Sequence, residues 1–137
     1  MTNLNAINSI LIECYKKSSI SCCKVIGNSM FPLLRKGDWI YVEPIDVKKL
    51  KIGDIILFHI QQRFVVHRIV KISNEYLVTK GDWSRFLDAP IFMDNVIGKV
   101  TAIRRGKHKL SFSHPILLAH NFFVNTINQT LINFVKE

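Results

Sequence analysis

The chain has 137 residues, of which 48% are hydrophobic, so it is long enough and apolar enough to fold as one domain with a real core. Nineteen Lys and Arg against ten Asp and Glu give a formal net charge of +9, which indicates an anionic partner, either a lipid surface or a nucleic acid. These values exclude a disordered chain, a collagen-like chain and a disulfide scaffold, and they argue against a freely diffusing acidic enzyme.

The first twenty residues predict an amphipathic helix. Leu4, Ile7, Leu11 and Cys14 repeat at helical spacing. Asparagines and Glu13 interrupt the apolar stretch, and no basic segment precedes it, so the pattern does not predict a secretory signal. The three cysteines of the chain lack the CxxC spacing of zinc and redox motifs. We expect them to be small, partly buried hydrophobic residues in a reducing compartment.

Residues 21–112 predict a β domain. Short runs rich in β-branched and aromatic residues, separated by glycine, are typical of strands. The candidates are Lys24–Ile26, Trp39–Val42, Asp54–Ile60, Phe64–Ile72, Tyr76–Thr79, Val96–Arg104 and Lys109–Phe112. Gln61 and Gln62 could join two of these strands in a hairpin, although Gln-Gln is a poor turn pair. Because no helices alternate with the strands, we expect a mainly β fold: a coiled antiparallel sheet or partial barrel with N-terminal and C-terminal amphipathic helices.

Residues 113–137 predict the C-terminal helix. Pro115 suits the first helical position, and residues 110–135 contain no charged side chain. The helix would carry a polar stripe formed by Asn121, Asn125 and Asn128. Such amides are costly in hydrocarbon, so a helix on a membrane surface or docked on a partner fits better than a spanning helix. The basic cluster just before it would attract anionic lipid, and the alternative is that the helix simply covers the sheet.

Three segments join a reactive side chain to a rigid backbone. In Gly27-Asn28-Ser29-Met30-Phe31-Pro32, a sharp turn would expose the Ser29 hydroxyl beside backbone amides, as an acyl-transfer nucleophile requires, although Ser29 would also suit a helix N-cap. In the strand around Val66-His67-Arg68, His67 points to the interior or to a cleft, where most histidines are hydrogen-bonded core residues. In the loop that begins with Lys80-Gly81-Asp82, Asp82 and Asp88 could orient an imidazole or brace the loop.

Taken in this order, the motifs resemble type I signal peptidases and the S24/S26-like serine peptidases to which they belong. The resemblance covers residues 24–103 and rests on Gly-x-Ser-Met-x-Pro at 27–32, Arg-x-Gly-Asp at 35–38, Gly-Asp-Ile-Ile-x-Phe at 53–58, Val-His-Arg at 66–68, Lys-Gly-Asp at 80–82 and Val-Ile-Gly-Lys-Val at 96–100. His67 stands where most bacterial members carry a lysine, which makes the chain similar to the Ser–His branch typical of endoplasmic-reticulum and archaeal signal peptidases. Self-cleaving repressors of the LexA type share the fold and the Gly-x-Ser-Met turn but use a lysine.

The resemblance implies a serine endopeptidase that removes leader or signal peptides from precursor proteins and favours small residues before the cut. Ser29 would be the nucleophile, His67 the general base and Asp88 the third member, with Asp82 as the alternative. Gly27, Asn28 and Met30 would surround the oxyanion site.

Two departures from the family pattern favour a second interpretation. Many members carry a serine donor where this chain has Gly27, and members usually have a membrane anchor, for which this sequence offers no convincing segment. The alternative function is therefore a catalytically inactive peptide-binding or membrane-docking module of the same fold.

No cofactor and no metal are expected. His108, His114 and His120 are six residues apart, which is not a ligand spacing within one helix. The expected partner is a precursor polypeptide, with a peripheral membrane or membrane-protein contact through residues 113–137. The sequence has no helix-turn-helix pattern, which argues against nucleic acid as the partner. The location stays open between the cytoplasm and a membrane surface.

Overall fold

A computed structural model of the chain describes residues 20–135. Within this range eight strands are followed by one long helix, α1 (Pro115–Val135). The strands are β1 (Ser21–Lys24), β2 (Trp39–Glu43), β3 (Ile55–Ile60), β4 (Arg63–Ile72), β5 (Tyr76–Lys80), β6 (Ile91–Phe92), β7 (Val96–Arg105) and β8 (His108–Ser111). The helix predicted near the N-terminus lies outside the described residues.

The eight strands form a single sheet in the order β1-β2-β7-β3-β4-β5-β6, with β8 also paired to β7. All of its pairs are antiparallel. The register shifts in the β2–β7, β3–β7 and β4–β5 pairs, and such bulges bend strands and increase their twist. Within the described part of the chain the path ends at β1 and β6 without closing. The predicted mainly β fold with a C-terminal helix is therefore confirmed.

Two hydrophobic clusters hold the sheet together. Strand β3 contributes to both, because successive side chains leave opposite faces of a strand. Ile55 and Leu57 belong to the first cluster, and Ile56 and Phe58 belong to the second. The first cluster also contains Met30, from the turn that follows β1. The segment around Ser29 is thus anchored in the core.

Most predicted strands are confirmed, but the first is wrong. We expected it at Lys24–Ile26, and it lies at Ser21–Lys24. Val25 has left the ladder, since its N–H donates to the Asp38 carbonyl and its carbonyl accepts from the Gly37 N–H, both at 2.8 Å. The short strand β6 was not predicted, because two residues do not make a recognisable alternating pattern.

The β3–β4 connection is the predicted hairpin. Gln61 and Gln62 have φ angles of 47° and 62°. Two positive φ angles are what a two-residue turn of the primed type requires, a conformation usually left to Asn and Gly. The strand pairing therefore holds two glutamines in a conformation that they rarely adopt.

Helix α1 begins at Pro115, as predicted, and the preceding His114 caps it by accepting the Ile116 N–H on Nδ1 at 3.3 Å. The helix places its amides against the sheet, with Asn128 only 3% exposed, and turns large apolar side chains such as Phe122 outward. It therefore covers part of the sheet, but with the polar stripe inward. No helix in residues 20–135 is long and apolar enough to cross a membrane.

Candidate active site

The turn that carries Ser29 is fixed on one side and open on the other. The Asn28 carbonyl accepts the Phe31 N–H at 3.1 Å, and the Phe31–Pro32 peptide bond is cis. Met30 is buried in the first hydrophobic cluster, whereas Ser29 is exposed. A core side chain thus anchors the backbone next to a hydroxyl that a substrate can reach.

Ser29, His67 and Asp88 form a continuous line of contacts. Ser29 Oγ lies 3.0 Å from His67 Nε2, and His67 Nδ1 lies 2.5 Å from Asp88 Oδ2. Thr79 holds the carboxylate from behind, since its hydroxyl donates to Asp88 Oδ2 at 2.7 Å and its carbonyl accepts the Asp88 N–H at 2.9 Å. When Nδ1–H donates to the carboxylate, Nε2 is left as an acceptor for the serine proton.

The electrostatic surroundings favour the ionised form of Asp88. Burial raises the pKa of its carboxyl, but hydrogen bonds from His67 and Thr79, together with the electrostatic interaction with His67 and Lys80, lower it by more. The pKa of Asp88 therefore lies below its ordinary value of 3.8. At neutral pH the group is a carboxylate, which can only accept hydrogen bonds and so holds the proton of His67 on Nδ1.

The loop after β5 (residues 81–90) packs directly against the turn that carries Ser29. The Trp83 N–H donates to the Ser29 carbonyl at 2.9 Å, and the Trp83 ring meets Phe31 edge-on at 5.3 Å between centroids. A Cβ on Gly81 would lie 2.6 Å from the Ser29 carbonyl oxygen and 3.1 Å from His67 Nε2. Because no side chain fits there, Gly81 allows the loop to approach this closely.

Asp82 occupies a different place from Asp88. Its two oxygens accept from Arg68 Nε and Nη2 at 2.8 and 2.7 Å. Arg68 is fully buried, and its Nη1 also donates to the Gly53 carbonyl and to Asn121 Oδ1, both at 3.0 Å. The sequence left both aspartates open as partners of His67, and the structure pairs Asp88 with His67 and Asp82 with Arg68.

The burial of Arg68 and its role were missed at the sequence level. The available signal was its position beside His67, because neighbours in a strand face opposite sides of the sheet. A buried arginine needs a carboxylate partner, and Asp82 was the remaining acidic residue of the loop once Asp88 is paired with His67. The part played by Asn121 carried no such signal, since it comes from a distant helix.

A groove with a cavity volume of about 500 Å³ opens beside Ser29. Segments 23–27 and 63–67 line it, together with four apolar side chains, those of Met30, Leu34, Ile40 and Leu57. All four of these side chains are buried. The groove therefore offers apolar contacts next to strand β4 and the end of β1, an arrangement that suits a peptide in extended conformation.

Gly27 and Asn28 lie exposed, just before Ser29. A Cβ on Gly27 would meet no atom within 4 Å. A serine side chain would therefore fit at this position. Packing does not explain why the chain has glycine instead of the serine donor that the resemblance associates with it.

Comparison with known proteins identifies the family of the chain. The model of the Peptidase S24-like family matches residues 4–80, more than half of the chain, including Ser29 and His67. No curated protein matches the chain significantly. The chain belongs to the S24-like peptidase family.

Proposed function

We propose that this protein is a serine endopeptidase that cleaves leader or signal peptides from precursor proteins. The observation that carries the proposal is the line of contacts from Ser29 through His67 to Asp88. Family membership supports serine peptidase chemistry, and the groove beside Ser29 supports an extended polypeptide as the substrate.

In the proposed mechanism Ser29 Oγ attacks the scissile carbonyl while His67 Nε2 takes its proton. Asp88 stabilises the resulting imidazolium through Nδ1–H. The Ser29 amide and a donor from the Asn28 region would bind the oxyanion. His67 then gives the proton to the leaving amine, and a water deprotonated by His67 hydrolyses the acyl-enzyme, which restores the Ser29 hydroxyl.

The proposal places the protein in the Ser–His branch of signal peptidases. His67 is the base that contacts Ser29, whereas the nearby buried amine, Lys80 Nζ, donates to the Gly81 carbonyl at 3.2 Å. The groove is lined by large aliphatic side chains, of which Leu34 and Ile40 are 0% and 1% exposed. The preference for small residues before the cut is carried over from the resemblance to signal peptidases.

A peptide library tests the proposal over many candidate substrates at once. The wild type and Ser29→Ala are incubated with a library of proteome-derived peptides, and new termini are identified by mass spectrometry. We expect cleavage after small residues that disappears in Ser29→Ala and persists in Ser113→Ala, an exposed serine before α1. Equal cleavage by Ser29→Ala would overturn the proposal. Tight peptide binding without Ser29-dependent cleavage would favour the inactive peptide-binding module.

A further inference from the structure

The outward side of α1 carries many large apolar side chains. Six of them are between 43% and 76% exposed, namely Ile116, Leu118, Phe122, Phe123, Ile127 and Leu131. These six residues are called the apolar face of α1, although the exposed Thr126 and Thr130 lie among them. Large exposed apolar side chains grouped on one helix mark a candidate interaction site.

The helix cannot bury this face by rotating toward the sheet, because its other face is tied down by amides. Asn121 accepts from the buried Arg68, and Gln129 Nε2 donates to the Val70 carbonyl at 3.0 Å. The Asn125 side chain fills the space beside Gly53 that a Cβ there would occupy. The outward orientation of the apolar face is therefore part of the fold.

A second cavity, of about 430 Å³, lies between α1 and the loop after β5. Its apolar wall comes from the helix and includes Ile127 and Leu131, which also belong to the apolar face. Its polar wall includes Lys80, Arg85 and Asn128. The cavity thus has one apolar wall and one wall with cationic and amide hydrogen-bond donors.

The hydrogen-bond donors of Asn128 and Lys80 in this cavity differ in how many partners they have. Asn128 is 3% exposed, and its Nδ2 has no hydrogen-bond partner among the described residues. Lys80 is 8% exposed, and burial lowers the pKa of its ammonium group although Asp82 and Asp88 act in the opposite direction. The Asp82 carboxylate also lines the cavity, but Arg68 already binds both of its oxygens. An anionic group entering the cavity would satisfy the amide and favour the charged lysine.

The cations that line the cavity point the same way. Lys80 and Arg85 belong to it, whereas Lys99 and Arg105, in the cation-rich stretch before α1, are paired with Asp54 and Asp38. Beside Arg85, two more large apolar side chains, Phe86 and Leu87, are 79% and 51% exposed. Apolar side chains bordered by cations are the pattern of a protein surface that rests on anionic lipid.

We propose that α1 and the cavity beside it bind the surface of an anionic phospholipid bilayer. The apolar face of α1 enters the boundary between headgroups and acyl chains, and Lys80, Arg85 and Asn128 hold a lipid phosphate. The proposal concerns binding alone and does not depend on cleavage by Ser29.

Vesicle co-sedimentation tests it with the whole chain. We expect wild-type protein to bind vesicles of phosphatidylcholine mixed with phosphatidylglycerol, and to release them as salt concentration rises. Replacing both exposed phenylalanines, Phe122→Ser with Phe123→Ser, should weaken binding by at least about tenfold, since each ring loses its burial in lipid. Phe92→Ser, which removes an equally exposed ring on β6, is the matched control and should bind as the wild type does.

The charge component has its own pair of variants. Arg85→Gln should weaken binding to the mixed vesicles by about fivefold, the effect of one basic residue near an anionic surface. Lys36→Gln removes an exposed cation in the turn before β2 and should leave binding unchanged. Since Arg85 and Phe122 lie outside the proposed catalytic residues, failure of this test is separate from failure of the peptidase.

Four results would overturn the proposal. The first is no binding to either kind of vesicle, and the second is equal binding to phosphatidylcholine alone. The third is a dimer in sedimentation analysis that the Phe122→Ser, Phe123→Ser variant dissociates, because the face would then be an interface between copies of the chain. The fourth is binding of soluble glycerol phosphate as tight as that of vesicles, because the cavity would then be a site for a free anion.

Discussion

His67 and Arg68 are neighbours in β4, yet they belong to two different environments. His67 reaches the exposed groove and contacts Ser29 and Asp88. Arg68 is fully buried on the opposite face and makes four hydrogen bonds to Asp82, Gly53 and Asn121. One side of the strand places His67 in the wall of the groove, and the other side is held to the rest of the fold by the hydrogen bonds of Arg68.

The two environments meet in the loop after β5. Asp82 binds Arg68 on one face of the sheet, Asp88 binds His67 on the other, and Gly81 lies against Ser29. The loop is thus held from both sides. The comparison of the two faces leads us to expect that the geometry at Ser29 depends on the Arg68–Asp82 ion pair, although this pair does not contact Ser29 or His67.

On the groove side of β4, the largest loss of activity is expected from His67→Ala. Without a general base we expect kcat to fall by about 10³ to 10⁴. The loss in the free energy of unfolding should be smaller than that of Arg68→Met, because the His67 side chain is 13% exposed and Arg68 is fully buried. Cleavage of a peptide found in the library experiment measures the loss. His108→Gln, in an exposed position of β8, is the control. A loss below about tenfold would mean that His67 is not the base.

The buried side should respond in stability instead. Arg68→Met leaves Asp82 buried without a partner, and we expect it to lower the free energy of unfolding by about 3–5 kcal/mol in urea denaturation. The double variant Arg68→Met, Asp82→Leu removes both charges and should recover most of that loss. If the double variant were as unstable as the sum of the two single variants, the ion pair would not be what connects them.

Gly81→Ala tests whether the loop after β5 sets the position of Ser29. The added methyl group would meet the Ser29 carbonyl, so Ser29 has to move relative to His67. Displacements of this kind cost about 10- to 100-fold in kcat, and we expect KM to change much less. Unfolding in urea checks that the protein remains folded. Unchanged kcat in a folded variant would show that the loop does not set the position of Ser29.

The ion pair between Asp38 and Arg105 can be compared with the buried Arg68–Asp82 pair, because Arg105 is partly exposed to solvent. Burial raises the pKa of Asp38, but hydrogen bonds from Arg105 and from the Arg35 amide, with the charges of both arginines, lower it below 3.8. A lowered pKa in the folded state stabilises the protein above the unfolded-state value, and this contribution is lost as pH falls through the folded-state value. Wild-type stability should therefore fall as the pH drops below about 4, and less steeply in Asp38→Asn. Equal slopes in pH-dependent urea denaturation would contradict this.

The smallest effect is expected at the β3–β4 hairpin, which directly precedes the groove-lining segment 63–67. Gln62 has a positive φ angle of 62°, which glycine adopts without strain. Gln62→Gly should raise the free energy of unfolding by about 0.5–1 kcal/mol without altering cleavage. Lower stability would show that contacts of the Gln62 side chain outweigh the backbone strain.

The sequence predicted the sheet better than its edges. Strands such as Phe64–Ile72 have long alternating or β-branched patterns, and the structure places them within a residue or two. The first strand was misplaced because pairing with β2 extends over Ser21 to Lys24, where the residue types give little β signal. The polar stripe of α1 was visible as periodicity, but its direction depends on the contacts of Asn121 with Arg68 and of Gln129 with Val70, which periodicity does not encode.

The candidate site was predictable as a set of motifs but not as a set of contacts. Ser29 and His67 were identified from the resemblance, and the structure brings them together. The choice between Asp82 and Asp88 depends on how an irregular loop folds and on where Arg68 points. Such choices arise from tertiary packing, so residue types and spacing alone left them open.

The central claim, that Ser29 and His67 work as one unit, is tested most directly by a double-mutant cycle on peptide cleavage. Ser29→Ala, His67→Ala and the combination of both are compared with the wild type at saturating substrate. Residues that act together lose nearly all of their effect in the first substitution, so we expect the double variant to be no slower than Ser29→Ala. Losses that multiply in the double variant, or Ser29→Ala with wild-type kcat, would contradict the claim.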